Sequence, residues 1–186
     1  AYEITVRDWS SDVCSPISLA GPAVEDSAWE RRVAARLVQA YGKPLDTPVG
    51  GVTHAFPTAD ALAAVDPSEF PMPVRRQRTM HELTARLADG RIRLDPGADR
   101  AEVERELTEI AGIGSWTAGY VRMRALADPD VFLVGDLGVR HGLVGAGLPD
   151  DSTAATKVAE AWRPWRSYAQ MHLWTSATGE GMKVNN

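Results

Sequence analysis

Two glycines separated by one apolar residue, Gly112-Ile113-Gly114, interrupt a helical pattern, and this turn constrains the fold more than any other stretch. Before it, Val103, Leu107 and Ile110 recur at helical spacing, which predicts one apolar helix face. Glycine tolerates positive φ, so the chain can reverse there within a few residues. A second helix is predicted to follow, with Ser115 as its N-cap. The sequence therefore predicts two short helices joined by a tight glycine turn.

The turn also predicts an anion site. Glycines leave the main-chain amides of Gly112, Ile113 and Gly114 uncovered, and the N-terminus of the following helix favours negative charge. Phosphate is the anion usually bound in this way. On that helix Trp116 and Tyr120 share one face. Aromatic residues at this spacing most often belong to a core, so spacing alone gives them no role in binding.

One acidic residue ends an apolar run after the second helix. Residues 131–134 (Val-Phe-Leu-Val) are apolar, and Gly135 and Asp136 follow them. Burial beside a core disfavours the charged form of a carboxylate, whereas nearby main-chain amides stabilise that form. It could be a functional acid, or it could be only the N-cap of a helix over 137–143. Since Asp is among the commonest caps, spacing alone favours the cap.

Three segments, in order, resemble one known family. They are GIGSWTAGYVRMRAL, DPDVFLVGD and AWRPWRSYAQMHLW. They are similar to the helix-hairpin-helix and Asp-containing loop of the HhH-GPD DNA glycosylases, and most of all to the bacterial DNA-3-methyladenine glycosylase II type. The similarity covers residues 28–179. It implies an all-α glycosylase domain with the helix-hairpin-helix at about 99–127.

The resemblance implies roles for residues at matching positions. Asp136 would act at the sugar carbon of the damaged nucleotide. Trp116, Tyr120 and Trp174 would line the pocket for the base. The remaining implied contacts are DNA phosphate at Gly112, Ile113, Gly114 and Arg140, and a monovalent cation on the backbone carbonyls of Thr108, Ile110 and Gly112, with no cofactor required.

The activity that the resemblance implies is hydrolysis of the N-glycosidic bond of alkylated purines in double-stranded DNA, the first step of base excision repair. Bifunctional relatives carry a lysine at the position of Trp116, so a monofunctional enzyme that does not cut the strand is expected. A non-catalytic helix-hairpin-helix DNA-binding fragment is the alternative from another class. A glycosylase for oxidised or mismatched bases is disfavoured, because that lysine and a four-cysteine cluster are absent.

Charge and cysteine content limit the partners. The net charge is −5, from 20 basic and 25 acidic residues, which argues mildly against DNA unless a local basic patch exists. The single cysteine, Cys14, excludes an intrachain disulfide framework. No run is long enough for a membrane span. A bacterial cytoplasmic, nucleoid-associated monomer is expected.

Domain boundaries and element ends can also be predicted. Residues 1–16 are expected to be an artefactual or disordered tail, since 1–15 resemble translated sequencing-adapter sequence; 17–186 would form the glycosylase domain, without the N-terminal α+β domain of relatives. Four local predictions follow from caps, prolines and glycines: a helix over 27–41 capped by Ser27, a loop over 44–56, a glycine-rich connection over 142–149, and Pro164 as the first residue of the last helix.

Overall fold

The structure is a computed structural model of the chain and describes residues 24–95 and 97–177. The predicted tail over 1–16, and Cys14 with it, lie outside the described residues. The chain divides into two compact units. The first comprises Ala1–Arg93 with Glu109–Gly112, and the second comprises Leu94–Thr108 with Ile113–Asn186.

The first unit packs helices around a small apolar core. Leu37, Leu62 and Phe70 form this cluster, at 2–3% exposure. Leu37 belongs to the first helix, and Leu62 to a short helix that Thr58 caps by accepting a hydrogen bond from Ala61 N at 3.2 Å. Its elements are α1 (Val24–Tyr41), β1 (Lys43–Val49), β2 (Val52–Ala55), α2 (Ala59–Ala63), a 3₁₀ turn (Pro67–Glu69) and α3 (Val74–Ala88).

Two predictions for the first unit were wrong. Helix α1 begins at Val24, so Ser27 lies inside the helix and is not its N-cap. The segment predicted as a loop over 44–56 is an antiparallel hairpin of β1 and β2. Val49 pairs with Val52 across a two-glycine turn in which Gly50 has φ 58°. This left-handed glycine turn permits strand pairing, and it outweighs the prolines that had suggested a loop.

The second unit consists of helices joined by loops, with no strand among its described residues. Val139 and Leu143 are fully buried and pack with Ala155 and Leu173. Predominantly helical structure is therefore confirmed as the fold class. The elements are α4 (Arg100–Thr108), α5 (Ser115–Ala125), α6 (Leu137–Gly145), α7 (Ser152–Ala159), a 3₁₀ turn (Glu160–Trp162) and α8 (Arg166–Ala177).

Three predicted element ends in the second unit were wrong. Gly114, not Ser115, is the N-cap of α5, because its extended backbone leads into the helix. Helix α6 continues to Gly145, so the predicted connection from Gly142 is helical in its first part. Helix α8 begins at Arg166, and Pro164 stands before it in a cis peptide bond with the preceding residue. Within 24–95 and 97–177, no helix combines the length and apolar character needed to cross a membrane.

Candidate active site

Backbone conformation and a neighbouring side chain both require glycine at the first position of the turn, Gly112. In the first unit Gly112 has φ 100°, and a side chain there would collide with Thr79, whose Oγ1 lies 2.5 Å from the position of a Cβ. The Thr79 hydroxyl also donates to the carbonyl of Ala111 at 2.7 Å. The conformation requires glycine here, as the sequence predicted.

In the second unit the start of α5 has no side-chain cap. Gly114 offers no side chain to the first-turn amides, and no acidic residue lies in that turn. Among the described residues, these amides therefore have no side-chain cap and no acidic neighbour in the first turn, an arrangement that is compatible with a bound phosphate. Ile113 buries its side chain, at 9% exposure. The phosphate-binding roles of Gly112, Ile113 and Gly114 stay predictions.

Arg140, the fourth predicted phosphate ligand, is engaged within the chain. Its Nη2 lies 3.1 Å from Asp150 Oδ2, and the two side chains are 43% and 46% exposed. Its Nε is buried and has no partner within the described residues. An exposed ion pair of this kind contributes little to stability, on the order of 0–1 kcal/mol, and can exchange for another anion.

Asp136 lies at the centre of a dense hydrogen-bond arrangement. Its Oδ1 accepts from Val139 N at 2.9 Å and from Trp174 Nε1 at 2.7 Å. Its Oδ2 accepts from Trp116 Nε1 at 3.1 Å. The residue is 4% exposed. The helix-cap interpretation is therefore confirmed, and the same carboxylate also binds two of the three predicted pocket residues.

The predicted pocket aromatics cluster around this carboxylate. Trp116 and Tyr120 stack with 5.5 Å between centroids and 4° between planes, and Tyr120 lies 6.1 Å from Trp174. Tyr120 is buried, whereas both indoles are half-buried. Tyr120 therefore belongs to the core, and the two tryptophans are the members of the cluster that solvent reaches.

A cavity of about 450 Å³ in the second unit lies elsewhere. It opens at the N-terminal end of α4 and does not include Asp136; its walls are Asp95, Gly97, Ala98, Asp99, Arg100, Ala101, Arg122 and Leu126. The carboxylate of Asp136 is buried, and both indoles hydrogen-bond to it. The longer of the two indole contacts is that of Trp116.

Helix α8 holds the loop before Asp136 along one face. Ser167 Oγ accepts from Val131 N at 2.9 Å, and Gln170 Oε1 accepts from Leu133 N at 2.6 Å. Trp174, four residues after Gln170, donates to Asp136. Three side chains on one face of α8 therefore bind successive positions of the loop. Both Ser167 and Gln170 are buried, and sequence analysis missed them. Their helical spacing with Trp174 was the available signal.

Arg122, on the second hairpin helix, is not free to bind DNA. It binds Glu104, and its Nε lies 3.1 Å from Asp128 Oδ2. Asp128 is 4% exposed. This ion network ties α5 to α4 and to the start of the loop, so Arg122 has a structural role.

The same loop is anchored by an ion pair at Asp130. Arg166 binds it in a bidentate manner, with Nε–Oδ1 at 2.6 Å and Nη2–Oδ2 at 2.9 Å. These hydrogen bonds, with the charges of Arg166 and Arg163, hold the pKa of Asp130 below its ordinary value of 3.8, although burial raises it. The folded state therefore favours the ionised form of Asp130.

We expect Asp130→Asn to lower the free energy of unfolding at pH 7 by about 1.5–3 kcal/mol, because charge-assisted hydrogen bonds are lost. Since the folded pKa is depressed, this stabilisation is complete above the unfolded pKa and disappears as pH falls through the folded one. Urea midpoints of both proteins from pH 7 to pH 3 should converge at the acidic end. Asp46→Asn, an exposed strand substitution, is the control; a gap for Asp130→Asn that stays constant to pH 3 would contradict the assignment.

Comparisons with known proteins found sequence relatives and structural neighbours among DNA repair enzymes. No family model matches the chain. The chain is 46% identical over 143 residues to the probable bifunctional transcriptional activator/DNA repair enzyme AlkA of Mycobacterium tuberculosis. The matched region is 77% of this chain and 29% of that protein. It is 32% identical over 150 residues to DNA-3-methyladenine glycosylase 2 of Escherichia coli, and here the matched region is 79% of this chain and 51% of that protein. The chain thus spans about half, or less, of these relatives.

The fold has a solved counterpart. The 3-methyladenine DNA glycosylase of Schizosaccharomyces pombe, in complex with abasic DNA, superposes with a TM-score of 0.65 at 18% identity, over 96% of this chain and 85% of that one. This likeness concerns the fold alone. Over the region that it shares with them, the chain is therefore a homologue of AlkA and of DNA-3-methyladenine glycosylase 2, and its structural neighbours are helix-hairpin-helix DNA glycosylases.

Proposed function

We propose that the protein is a monofunctional DNA glycosylase that hydrolyses the N-glycosidic bond of alkylated purines, of the 3-methyladenine type, in double-stranded DNA. The observation that carries this proposal is the carboxylate of Asp136 held between the indoles of Trp116 and Trp174. The names of the sequence relatives support the same substrate class.

One carboxylate oxygen of Asp136 can accept further hydrogen bonds. A carboxylate has about four acceptor positions, two on each oxygen. Oδ1 uses two of them, for Val139 N and Trp174 Nε1, whereas Oδ2 accepts only the 3.1 Å contact from Trp116 within the described residues. We infer that Oδ2 is the atom that faces the sugar, and that the damaged nucleotide enters from the side of Trp116.

The reaction needs only one carboxylate. When the C1′–N bond breaks, the bonding electrons leave with the cationic alkylated base, which departs neutral, and positive charge develops on the sugar. A fixed carboxylate stabilises that charge, and water then adds at C1′ and loses a proton. The base must first leave the DNA stack. Since alkylation already activates the leaving group, no general acid is required.

The aromatic cluster suits a positively charged base. A cation over an aromatic face gains roughly 0.5–2 kcal/mol. Trp116 and Trp174 are half-buried and lie on either side of the carboxylate. An undamaged, neutral purine would lack this attraction. Electrostatics therefore supports selection of the alkylated base.

The monofunctional assignment is supported by the position of Trp116. In place of a nucleophilic lysine there is an indole whose N–H donates to Asp136. Lys157, which is the single lysine among the described residues of the second unit, is exposed on α7. Covalent attack on C1′ by lysine is therefore not part of the proposal.

Further properties follow as parts of the same proposal. A monomer that acts on DNA in the bacterial nucleoid is part of this proposal. No cofactor is needed for the bond cleavage. For the implied monovalent cation, the carbonyls of Ile110 and Gly112 in the first unit accept no hydrogen bond within the described residues, whereas the intervening Ala111 carbonyl binds Thr79. A cation on these two carbonyls would neutralise their dipoles; Thr108, the third implied ligand, belongs to the second unit and stays a prediction.

The test is release of bases from methylated duplex DNA, followed by chromatography. We expect 3-methyladenine in the supernatant, and strand breaks only after alkali treatment. Breaks without alkali would contradict a monofunctional mechanism. Retention of DNA without any release would instead indicate the non-catalytic DNA-binding module.

A further inference from the structure

One face of α3 runs along the part of the hairpin that belongs to the first unit. Arg86 Nη1 lies 3.1 Å from Glu109 Oε2, and Thr79 Oγ1 lies 2.7 Å from Ala111 O. As the chain advances from Glu109 to Ala111, its contacts therefore move toward the N-terminus of α3. Arg75 is the next position on this face, because residues four apart on a helix are neighbours. Arg75 therefore lies one helical turn closer to the N-terminus of α3 than Thr79, the residue that contacts Ala111.

Arg78 stands on the same side of α3 as Arg75, since positions three apart are also neighbours. Both side chains are exposed, and neither has an ion-pair partner in the part of the chain that the structure describes. Their neighbour Arg76 differs, because its guanidinium lies 4.8 Å from the centre of the Trp29 ring. Arg75 and Arg78 are therefore available to an external anion, whereas Arg76 packs within the unit.

Nothing within the helix explains these two charges. The first turn of α3 has no acidic residue, and its N-cap, Pro73, makes no side-chain hydrogen bond. Positive charge near a helix N-terminus interacts unfavourably with the helix dipole. The net charge of the whole chain is −5, so two neighbouring arginines without an ion-pair partner among the described residues form a local positive patch on an acidic protein.

We propose that Arg75 and Arg78 form a phosphate-binding surface of the first unit, which contacts the DNA backbone. This inference rests on the proposed function for the identity of the partner. A guanidinium binds phosphate oxygens through two parallel hydrogen bonds, and one arginine neutralises one phosphate. The surface reads no base sequence, so it would bind damaged and undamaged duplexes alike.

The test is the salt dependence of DNA binding. Fluorescence anisotropy of the full chain with a labelled, undamaged duplex gives the slope of log Kobs against log[KCl]. Each phosphate contact contributes about 0.9 to that slope, so the double variant Arg75→Gln/Arg78→Gln should lower its magnitude by about 1.8. The matched control is Arg32→Gln/Arg36→Gln, which removes two exposed arginines from α1. Arg75→Lys/Arg78→Lys should keep the slope of the parent.

Three outcomes would overturn the proposal. They are an unchanged slope in the Arg75/Arg78 glutamine variant, an equal loss in the control variant, and a parent protein that does not bind DNA. Base release, measured on the same proteins, separates this inference from the proposed activity. A parent that shows the slope difference but releases no base would refute the glycosylase and leave the surface established. An active parent whose slope does not depend on Arg75 and Arg78 would refute the surface alone.

Discussion

Replacement of Asp136 by asparagine should reduce release of 3-methyladenine by about 100- to 1000-fold, the usual loss when one electrostatic stabiliser of a transition state is removed. Asparagine keeps the size of the side chain and caps helices as well as aspartate does, so the bond from Val139 N is retained. Its amide group, however, is neutral, and it presents an N–H to one of the two indole donors. The charge that faces the sugar is lost, while the fold is largely kept.

Asp151→Asn is the matched control for this experiment. Asp151 is an exposed N-cap on α7, and its Oδ1 accepts from Thr153 N and Ala154 N, both at 3.0 Å. Its replacement changes the same chemical group at a helix start far along the chain from the aromatic cluster, so base release should stay within about 0.5 kcal/mol of the parent. Circular dichroism melting of both variants monitors the fold. Full activity of Asp136→Asn would show that this residue is a helix cap and nothing more.

The second large effect is expected at Gly142, where α6 meets α8. A methyl group at this position would lie 2.4 Å from the carbonyl oxygen of Leu173 and 2.7 Å from its carbonyl carbon. These are main-chain atoms, so a side-chain rotation cannot relieve the clash. Gly142→Ala should therefore cost about 1–3 kcal/mol of stability, as overpacking does. Because Trp174 follows Leu173 on the displaced helix, base release should fall as well.

Gly145→Ala provides the comparison on the same helix. An added Cβ there meets no atom within 4 Å. Alanine also has the higher helix propensity, by up to about 1 kcal/mol in a helix interior. Melting temperature should therefore drop by roughly 2–4 °C per kcal/mol lost for Gly142→Ala, and stay level or rise for Gly145→Ala. Equal melting temperatures for the two variants would show that α6 and α8 do not pack as described.

Local chemistry made several features predictable. Glycine at 112 is required by a positive φ and by the contact with Thr79, and both follow from a tight turn between two apolar helix faces. The cap at Thr58 was predictable because capping depends on neighbours within three residues. At the β1–β2 hairpin two local signals compete, and neighbouring residues alone do not decide whether the glycine turn or the prolines prevail.

The sequence by itself determined the glycine turn, most of the helices and the alternatives for Asp136, since each depends on residues within a few positions of one another. Only the tertiary structure decided that the carboxylate both caps α6 and receives indole N–H groups from 20 residues before it and 38 residues after it. It also decided that Ser167 and Gln170 hold the loop from 36 and 37 residues away. Periodicity reports which face of an element is buried, and the partner of that face depends on how distant elements pack.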